Sequence, residues 1–389
     1  MVHRRAAVAV TLALLLAQLL LIGGCQSNRF LPDGVSFEGE AHPATDVRFL
    51  RDNTWVDENG ERQVDQQVFD AVMGVITGAE RIIVLDMFLF NPSQGPVPEA
   101  TRALSSELTD ALVARKTERP NIEIILITDP VNTLYGGLPS EQFERMEQAG
   151  IAVVETDLTE LPDSNPTWSI IWRPFIQWFG NSPGGILPNP IGPGKVGFRS
   201  YFALFNFKAN HRKTILADQG DGFTAIVSSA NPHDGSSAHR NAAIQFNGLA
   251  VQDLLDTEDA VLAFSGAPTV DEPLGVAAES GDLTVQIISE GKIGAAVLNE
   301  IYMSQPGDEI RLMMFYLSDR RVIKALASAQ ERGVTMRLIL DPNKDAFGRE
   351  KSGIPNRPVA KELVKVGTPV RWCNTKGEQC HAKMILVDR

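Results

Sequence analysis

The feature that most constrains this chain is that it is written twice. The apolar run Ile82-Ile83-Val84-Leu85-Asp86-Met87-Phe88-Leu89 follows a helix-like stretch over residues 64–77. Ile310-Arg311-Leu312-Met313-Met314-Phe315-Tyr316-Leu317 repeats it after a second such stretch over 293–303. Each copy then passes through a helix-like segment, 103–116 or 322–331, into another apolar run closed by Asp129-Pro130 or Asp341-Pro342. A Gly/Asn-containing loop and a further helical segment lead to a last strand, 151–155 or 369–372. Both copies read strand, helix, strand, helix, strand. Strands this continuously apolar are buried on both faces. A repeat of that pattern predicts two similar α/β domains.

The segments outside the repeats set the domain limits. Residues 251–264 look helical, and 265–282 run through Gly, Pro and acids with little periodicity, as a linker does. The first domain is therefore expected over 51–264 and the second over 283–389. Residues 25–50 read as a tether, and Thr54-Trp55-Val56 before Asn59-Gly60 suggests a small hairpin. The first copy is longer, its excess lying over 158–206 and holding three of the chain's five tryptophans, Trp168, Trp172 and Trp178. This aromatic insert fits a cap packed on its domain, or an apolar lip that meets lipid, since Trp favours the headgroup level.

Residues 1–24 form an export signal. His3, Arg4 and Arg5 precede an apolar run, which ends at Ile22-Gly23-Gly24-Cys25. The small residues before Cys25 resemble the lipobox of bacterial lipoproteins, in which Cys25 would be lipidated after cleavage. The expected location is the bacterial envelope, and Gln26 rather than Asp resembles the pattern sent to the outer membrane, at its periplasmic face, if the cell is Gram-negative. In an exported chain the remaining Cys373 and Cys380 can pair. The turn-like segment between them suggests a hairpin closed by a disulfide, with free thiols or zinc ligands as the alternatives. Zinc is disfavoured because only His381 stands close enough in sequence to join them. The formal net charge of −12 runs against a nucleic-acid partner, whose phosphates call for a basic stripe.

The chemistry sits at matching places in the repeats. His211-Arg212-Lys213-Thr214-Ile215-Leu216-Ala217-Asp218 and His381-Ala382-Lys383-Met384-Ile385-Leu386-Val387-Asp388 share His-x-Lys-x4-Asp. Composition alone gives a histidine those two partners roughly two times in a thousand, so two instances in register with a repeat are no accident. On a strand, positions i and i+2 share a face, which aims each His and Lys into one pocket. Any lone histidine is more often structural, which is the reading for His3 and His42; His233 and His239 stay undecided.

These residues resemble the phospholipase D superfamily, whose signature is this motif in two copies. Ser228-Ser229-Ala230-Asn231 is close to the family's Gly-Ser-x-Asn, with Ser228 in place of Gly, and His239-Arg240-Asn241 resembles the segment that follows. The second copy stops at Arg389 without a Ser/Asn segment, which reads as truncation of that domain. The resemblance implies two phospholipase D-like α/β domains about a pseudo-two-fold axis, bringing His211 and His381 together. It implies a phosphohistidine intermediate, with His211 as nucleophile and His381 as acid, Lys213, Lys383, Ser229 and Asn231 holding phosphate oxygens, and Asp218 and Asp388 orienting neighbours. No cofactor or metal is called for. The expected activity is a phosphodiesterase or phosphatidyl transferase whose partners are phospholipid and the membrane surface. A nuclease on the same scaffold and an inactive envelope binding module are the alternatives. The oligomeric state is left open.

Overall fold

The computed structural model describes residues 30–389 apart from 96, 98–100, 207, 271–274, 276–279 and 347–348. The segment read as an export signal, with Cys25 as the expected lipidation site, lies outside the described residues.

The chain begins with strand β1 (His42–Val56) and β2 (Arg62–Gln66), paired antiparallel. Asp57 accepts the amides of Asn59 and Glu61 at 2.9 Å, and Gly60 takes a φ of 83°, so the expected hairpin forms. Then come α1 (Val68–Gly78), β3 (Ile82–Met87), α2 (Leu104–Glu118), β4 (Glu123–Thr128), α3 (Glu141–Gln148) and β5 (Ala152–Glu155). Strands β3, β4 and β5 are parallel. The period of two sorts their side chains between two cores. Ile83, Leu85, Ile124 and Leu126 meet Val72, Leu108 and Leu112 of α1 and α2. Ile82, Val84, Ile125 and Ile127 meet the opposite layer.

The insert follows, with α4 (Pro166–Phe175), a short hairpin of β6 (Leu187–Pro188) and β7 (Lys195–Val196), and α5 (Phe198–Leu204). Strands β8 (Lys213–Gln219), β9 (Gly222–Ser228) and β10 (Asn241–Asn247) complete the first unit, and α6 (Ala250–Phe264) covers its second face. With β11 (Leu283–Val285), the sheet has the order β11-β1-β10-β9-β8-β3-β4-β5.

The second unit runs α7 (Gly291–Met303), β12 (Glu309–Met314), α8 (Arg320–Arg332), β13 (Thr335–Leu340), the hairpin β14 (Asp345–Ala346) and β15 (Arg349–Glu350), α9 (Asn356–Lys365), β16 (Val370–Trp372) and β17 (Lys383–Asp388). Its sheet order, β16-β13-β12-β17, reproduces β5-β4-β3-β8. The α/β class and the strand-helix-strand-helix-strand repeat stand as expected.

Four expectations change. Residues 42–50 are not tether but part of β1, where Pro43, Asp46 and Arg48 interrupt the apolar signal; β1 pairs with β10 and β11. Residues 64–66 extend β2 rather than begin a helix. Leu283–Val285, assigned to the second domain, adds an edge strand to the first sheet, and Ile287 joins that core; a strand's sequence does not say which sheet it joins. Cys373 and Cys380 are bonded, with Cα atoms 6.3 Å apart, but β16 and β17 lie at opposite edges of their sheet, so the bond closes a loop and not a hairpin.

Candidate active site

Each repeat builds the same three-residue cluster at the end of its central strands. Lys213 lies opposite Met87 on β3, and Lys383 opposite Met314 on β12. This register pairs Ile83 with Ile310 as equivalents, one residue away from the alignment of the two apolar runs. It also makes Phe88 equivalent to Phe315: the Phe88 amide donates to Arg212 O at 3.1 Å and that of Phe315 to Ala382 O at 3.0 Å. The Phe88 ring lies 4.3 Å from His211 and 5.0 Å from Lys213 Nζ. Phe315 lies 4.9 Å from His381 and 5.3 Å from Lys383 Nζ. The phenyl rings screen both ammonium groups from water on one side and attract them by their negative faces.

The Asp-Pro that closes each second strand also has an equivalent task. Asp129 accepts the amides of Asn210 (2.9 Å) and Val131 (2.8 Å), and Asp341 accepts those of Cys380 (2.7 Å) and Asn343 (2.6 Å). Asn210 and Cys380 each stand one residue before a motif histidine. A carboxylate thus pins the chain where it enters the site, in both halves. Sequence reasoning missed Phe88, Phe315, Asp129 and Asp341 as site residues. The signal was present: all four recur at matching places in the repeat.

The two units meet through the segment just ahead of His381. The Arg240 amide donates to Gln379 O (2.9 Å) and the His381 amide to Arg240 O (2.8 Å), a strand-like pairing, while the Arg240 guanidinium contacts Glu378 at 3.1 Å. His381 Nδ1 then lies 3.0 Å from Ser229 O and 3.3 Å from Asn241 Oδ1, both in the first unit. Both neighbours are acceptors, so Nδ1 carries the proton and Nε2 the lone pair. Lys383 Nζ stands 2.8 Å from that Nε2. Asp52 steadies Asn241 from behind at 3.4 Å. In the first cluster Lys213 Nζ donates to His211 O at 2.8 Å and lies 3.3 Å from His211 Nδ1.

The electrostatics follow from packing cations together out of water. Partial enclosure, then Lys213 and Lys383, lowers His211 to about 3, although its side chain is open to solvent on one side. Burial, then Lys383, His239, Lys213 and His211, holds His381 well below its usual range. Lys213 falls to about 7, by burial against the opposing pull of Asp86 and Asp129. Lys383 falls too, by burial of its ammonium and by Lys213, although its side chain is open to solvent on one side, which makes Lys213 the clearer case. Each motif therefore feels the charge of the other. A pocket that depresses every cation in it is one that an anion would relieve.

The other residues that the sequence pointed to separate in the structure. Asn231 accepts the Leu89 amide at 3.3 Å through its side-chain oxygen. The Ser229 hydroxyl is engaged with Asn241 Oδ1 (3.0 Å) and the Ala242 amide (3.1 Å), so Ser229 serves His381 through its carbonyl rather than a phosphate through its side chain. Asp218 does orient neighbours, but far from the histidines: it accepts the amides of Glu80, Arg81 and Ile82 at 2.8–3.0 Å, at the other end of β8. Asp388 is exposed opposite Glu309. His239 is buried with its ring 5.8 Å from His381, and its Nδ1 accepts the Gln379 amide at 3.3 Å. His233 is buried as well, with Nδ1 3.1 Å from Ser236 Oγ. Among the described residues no group of His, Cys, Asp and Glu has the arrangement of a metal site.

Comparison with known proteins bears on the second unit and on the fold. Residues 297–389, most of the second unit, match the family model described as cardiolipin synthase, PLD-like domain, and the resemblance to the phospholipase D superfamily holds. No curated protein sequence matches the chain. Phosphatidylserine synthase of Haemophilus influenzae Rd KW20 superposes with a TM-score of 0.51 at 11% identity, covering 95% of this chain and 80% of that one, and shares its fold. Polyphosphate kinase of Porphyromonas gingivalis gives a TM-score of 0.43 at 14% identity over 88% of this chain, which spans only 40% of the kinase. Nuc of Salmonella typhimurium, a phospholipase D family member, gives 0.30 at 13% identity over 56% of this chain and 93% of Nuc.

Proposed function

We propose that this protein is a phosphodiesterase or phosphatidyl transferase acting on membrane phospholipids through a phosphohistidine. The observation that carries the reading is the meeting of the two His-Lys clusters, with His381 of one unit hydrogen-bonded to Ser229 of the other at 3.0 Å. The diester's anionic oxygens take the place between Lys213 and Lys383 that the apo site leaves to cation repulsion, and the lysines carry the charge of the transition state.

The hydrogen bonds favour one division of labour. A nucleophile needs a neutral imidazole with its lone pair facing phosphorus, which is the tautomer that Ser229 and Asn241 impose on His381. To act as the acid His211 must be an imidazolium, protonated on both nitrogens; the negative charge of the bound diester offsets the Lys213 and Lys383 repulsion that otherwise disfavours that form. His381 therefore attacks phosphorus, the P–O bond to the leaving group breaks, and His211 gives that alkoxide its proton. Water or an alcohol, deprotonated by His211, then displaces His381. This reverses the roles expected from sequence.

The test uses phosphatidylglycerol labelled with 32P, in detergent, with products separated by headgroup. Phosphatidic acid marks hydrolysis, and cardiolipin marks transfer. With a 32P-labelled phosphatidyl ester of a good leaving group, a denaturing quench at neutral to mildly alkaline pH, where phosphohistidine survives, should trap label on wild type and on His211→Asn, which attacks this substrate but stalls at release, and none on His381→Asn. Label retained by His381→Asn overturns the role assignment; absence of any turnover overturns the function.

A further inference from the structure

The aromatic insert has two sides with opposite character. One is core: Trp168 packs between Phe202 and Phe205 at 5.6 and 5.7 Å and donates its indole N–H to Phe202 O at 2.9 Å. The other is bare: Trp178 is 74% exposed, Phe179 62% and Ile186 77%, with Ile171, Phe175 and Phe198 also open to solvent. Apolar exposure on this scale, gathered on one excursion of the chain, marks a contact surface.

Charge says what kind. Residues 164–217 contain no acidic side chain, in a chain with 48 acids and a net charge of −12. Of the insert's cations, Arg173 is paired with Asp163 at 2.9 Å, but Lys195 and Arg199 are exposed, and Arg199 stands over the Phe179 ring at 5.9 Å. Exposed aromatic rings beside cations, on a segment cleared of acids, suit the headgroup layer of an anionic bilayer better than a protein partner. The insert also borders the reaction centre. It walls a cavity of about 230 Å³ whose opposite side includes Pro130 and Thr156, the neighbours of Asp129 and Asn210.

We infer that the insert is a membrane-docking platform that seats the protein on anionic phospholipid, with Trp178, Phe179 and Ile186 in the headgroup layer and Lys195 and Arg199 at the lipid phosphates. The inference stands on the insert alone and does not need the chemistry proposed above.

The test is tryptophan quenching in the full-length chain, on vesicles of phosphatidylglycerol with phosphatidylcholine brominated just below the headgroups. The first tryptophan in the sequence is Trp55, so the apolar N-terminal run cannot report in this assay. Wild-type emission should be quenched, and most of that quenching should vanish in Trp178→Phe. Replacing phosphatidylglycerol by phosphatidylcholine should weaken it. Lys195→Glu should require about fivefold more anionic lipid or greater, the contribution of one basic residue near such a surface. Undiminished quenching in Trp178→Phe, equal quenching on neutral vesicles, or no quenching at all overturns the platform. So does a concentration-dependent dimer that Ile186→Ser dissolves, which would assign the face to a second copy. Turnover of a soluble phosphodiester should be unchanged in Trp178→Phe, and reads the reaction centre separately: an inert centre on a docked protein fails the proposed function and leaves the platform standing.

Discussion

Replacing Lys213 by Met tests whether the site stores electrostatic stress for an anion. Lys213 is 4% exposed, and burial draws its pKa down to about 7, against roughly 10.4 for a lysine in water. Between those values the unfolded chain binds the proton and the folded chain does not. Stability therefore rises with pH from about 7 to about 10, and the penalty is full below the folded value. At about 1.4 kcal/mol per unit the penalty is on the order of 4 kcal/mol at pH 6. Met keeps the length and removes the charge, but leaves His211 O without the donor now 2.8 Å away, a loss of about 1–2 kcal/mol. Lys213→Met should therefore be more stable than wild type by about 2–3 kcal/mol at pH 6, and the advantage should disappear by about pH 10. Urea midpoints of both proteins, taken across that range and subtracted, cancel the groups they share. Inorganic phosphate at pH 7 should stabilise wild type and leave the variant unchanged, because the anion restores the lysine's charge. A difference that is flat with pH, or a variant weaker than wild type at pH 6, refutes the reasoning.

Two further substitutions separate positioning from chemistry. Asp341→Ala frees the Cys380 and Asn343 amides and lets the strand entry carrying His381 drift; kcat should fall at least tenfold with a smaller change in KM, because a misplaced nucleophile costs rate more than binding. Asp218→Ala orphans three backbone amides and should cost about 3 kcal/mol of stability while kcat below the melting transition stays near wild type, a result that a catalytic role for this motif aspartate would not allow.

The legible part of this molecule was whatever the chain states locally. The duplicated strands announced themselves because each is a run of apolar residues bounded by helices, and the motif placed His and Lys on one face by strand geometry alone. What stayed hidden depends on distant partners. Nothing in the segment containing Leu283–Val285 says that it completes the sheet of the first unit, since any edge could accept it. Ser229 reads as a phosphate ligand until its hydroxyl is seen spent on Asn241. Asp218 reads as a residue that orients its neighbours, and it does, but only the fold shows that those neighbours are the amides of a turn at the far end of the strand. Asp129 and Asp341 illustrate the reverse case, functional positions that the repeat displayed and that were read only as the ends of strands.

The two clusters repeat each other, but what lies behind them does not, and the difference bears on how a twofold site can run a reaction with two unlike roles. Beneath His211 the chain buries a polar network: Arg212 pairs with Glu258 at 3.1 Å, Thr214 donates to Glu258 at 2.8 Å, and Asn210 donates to Asp86 at 2.6 Å. Burial, with Glu258 next to it, holds the Asp86 carboxyl well above its usual range. The equivalent positions beneath His381 are Met313, Ala382 and Met384, with Cys380 locked in a disulfide. One imidazole thus rests on a surface able to hold and share protons, and the other on an apolar one. Stabilising an imidazolium is easier over the first. This difference in backing is the asymmetry that the proposed division, acid in the first unit and nucleophile in the second, would draw on.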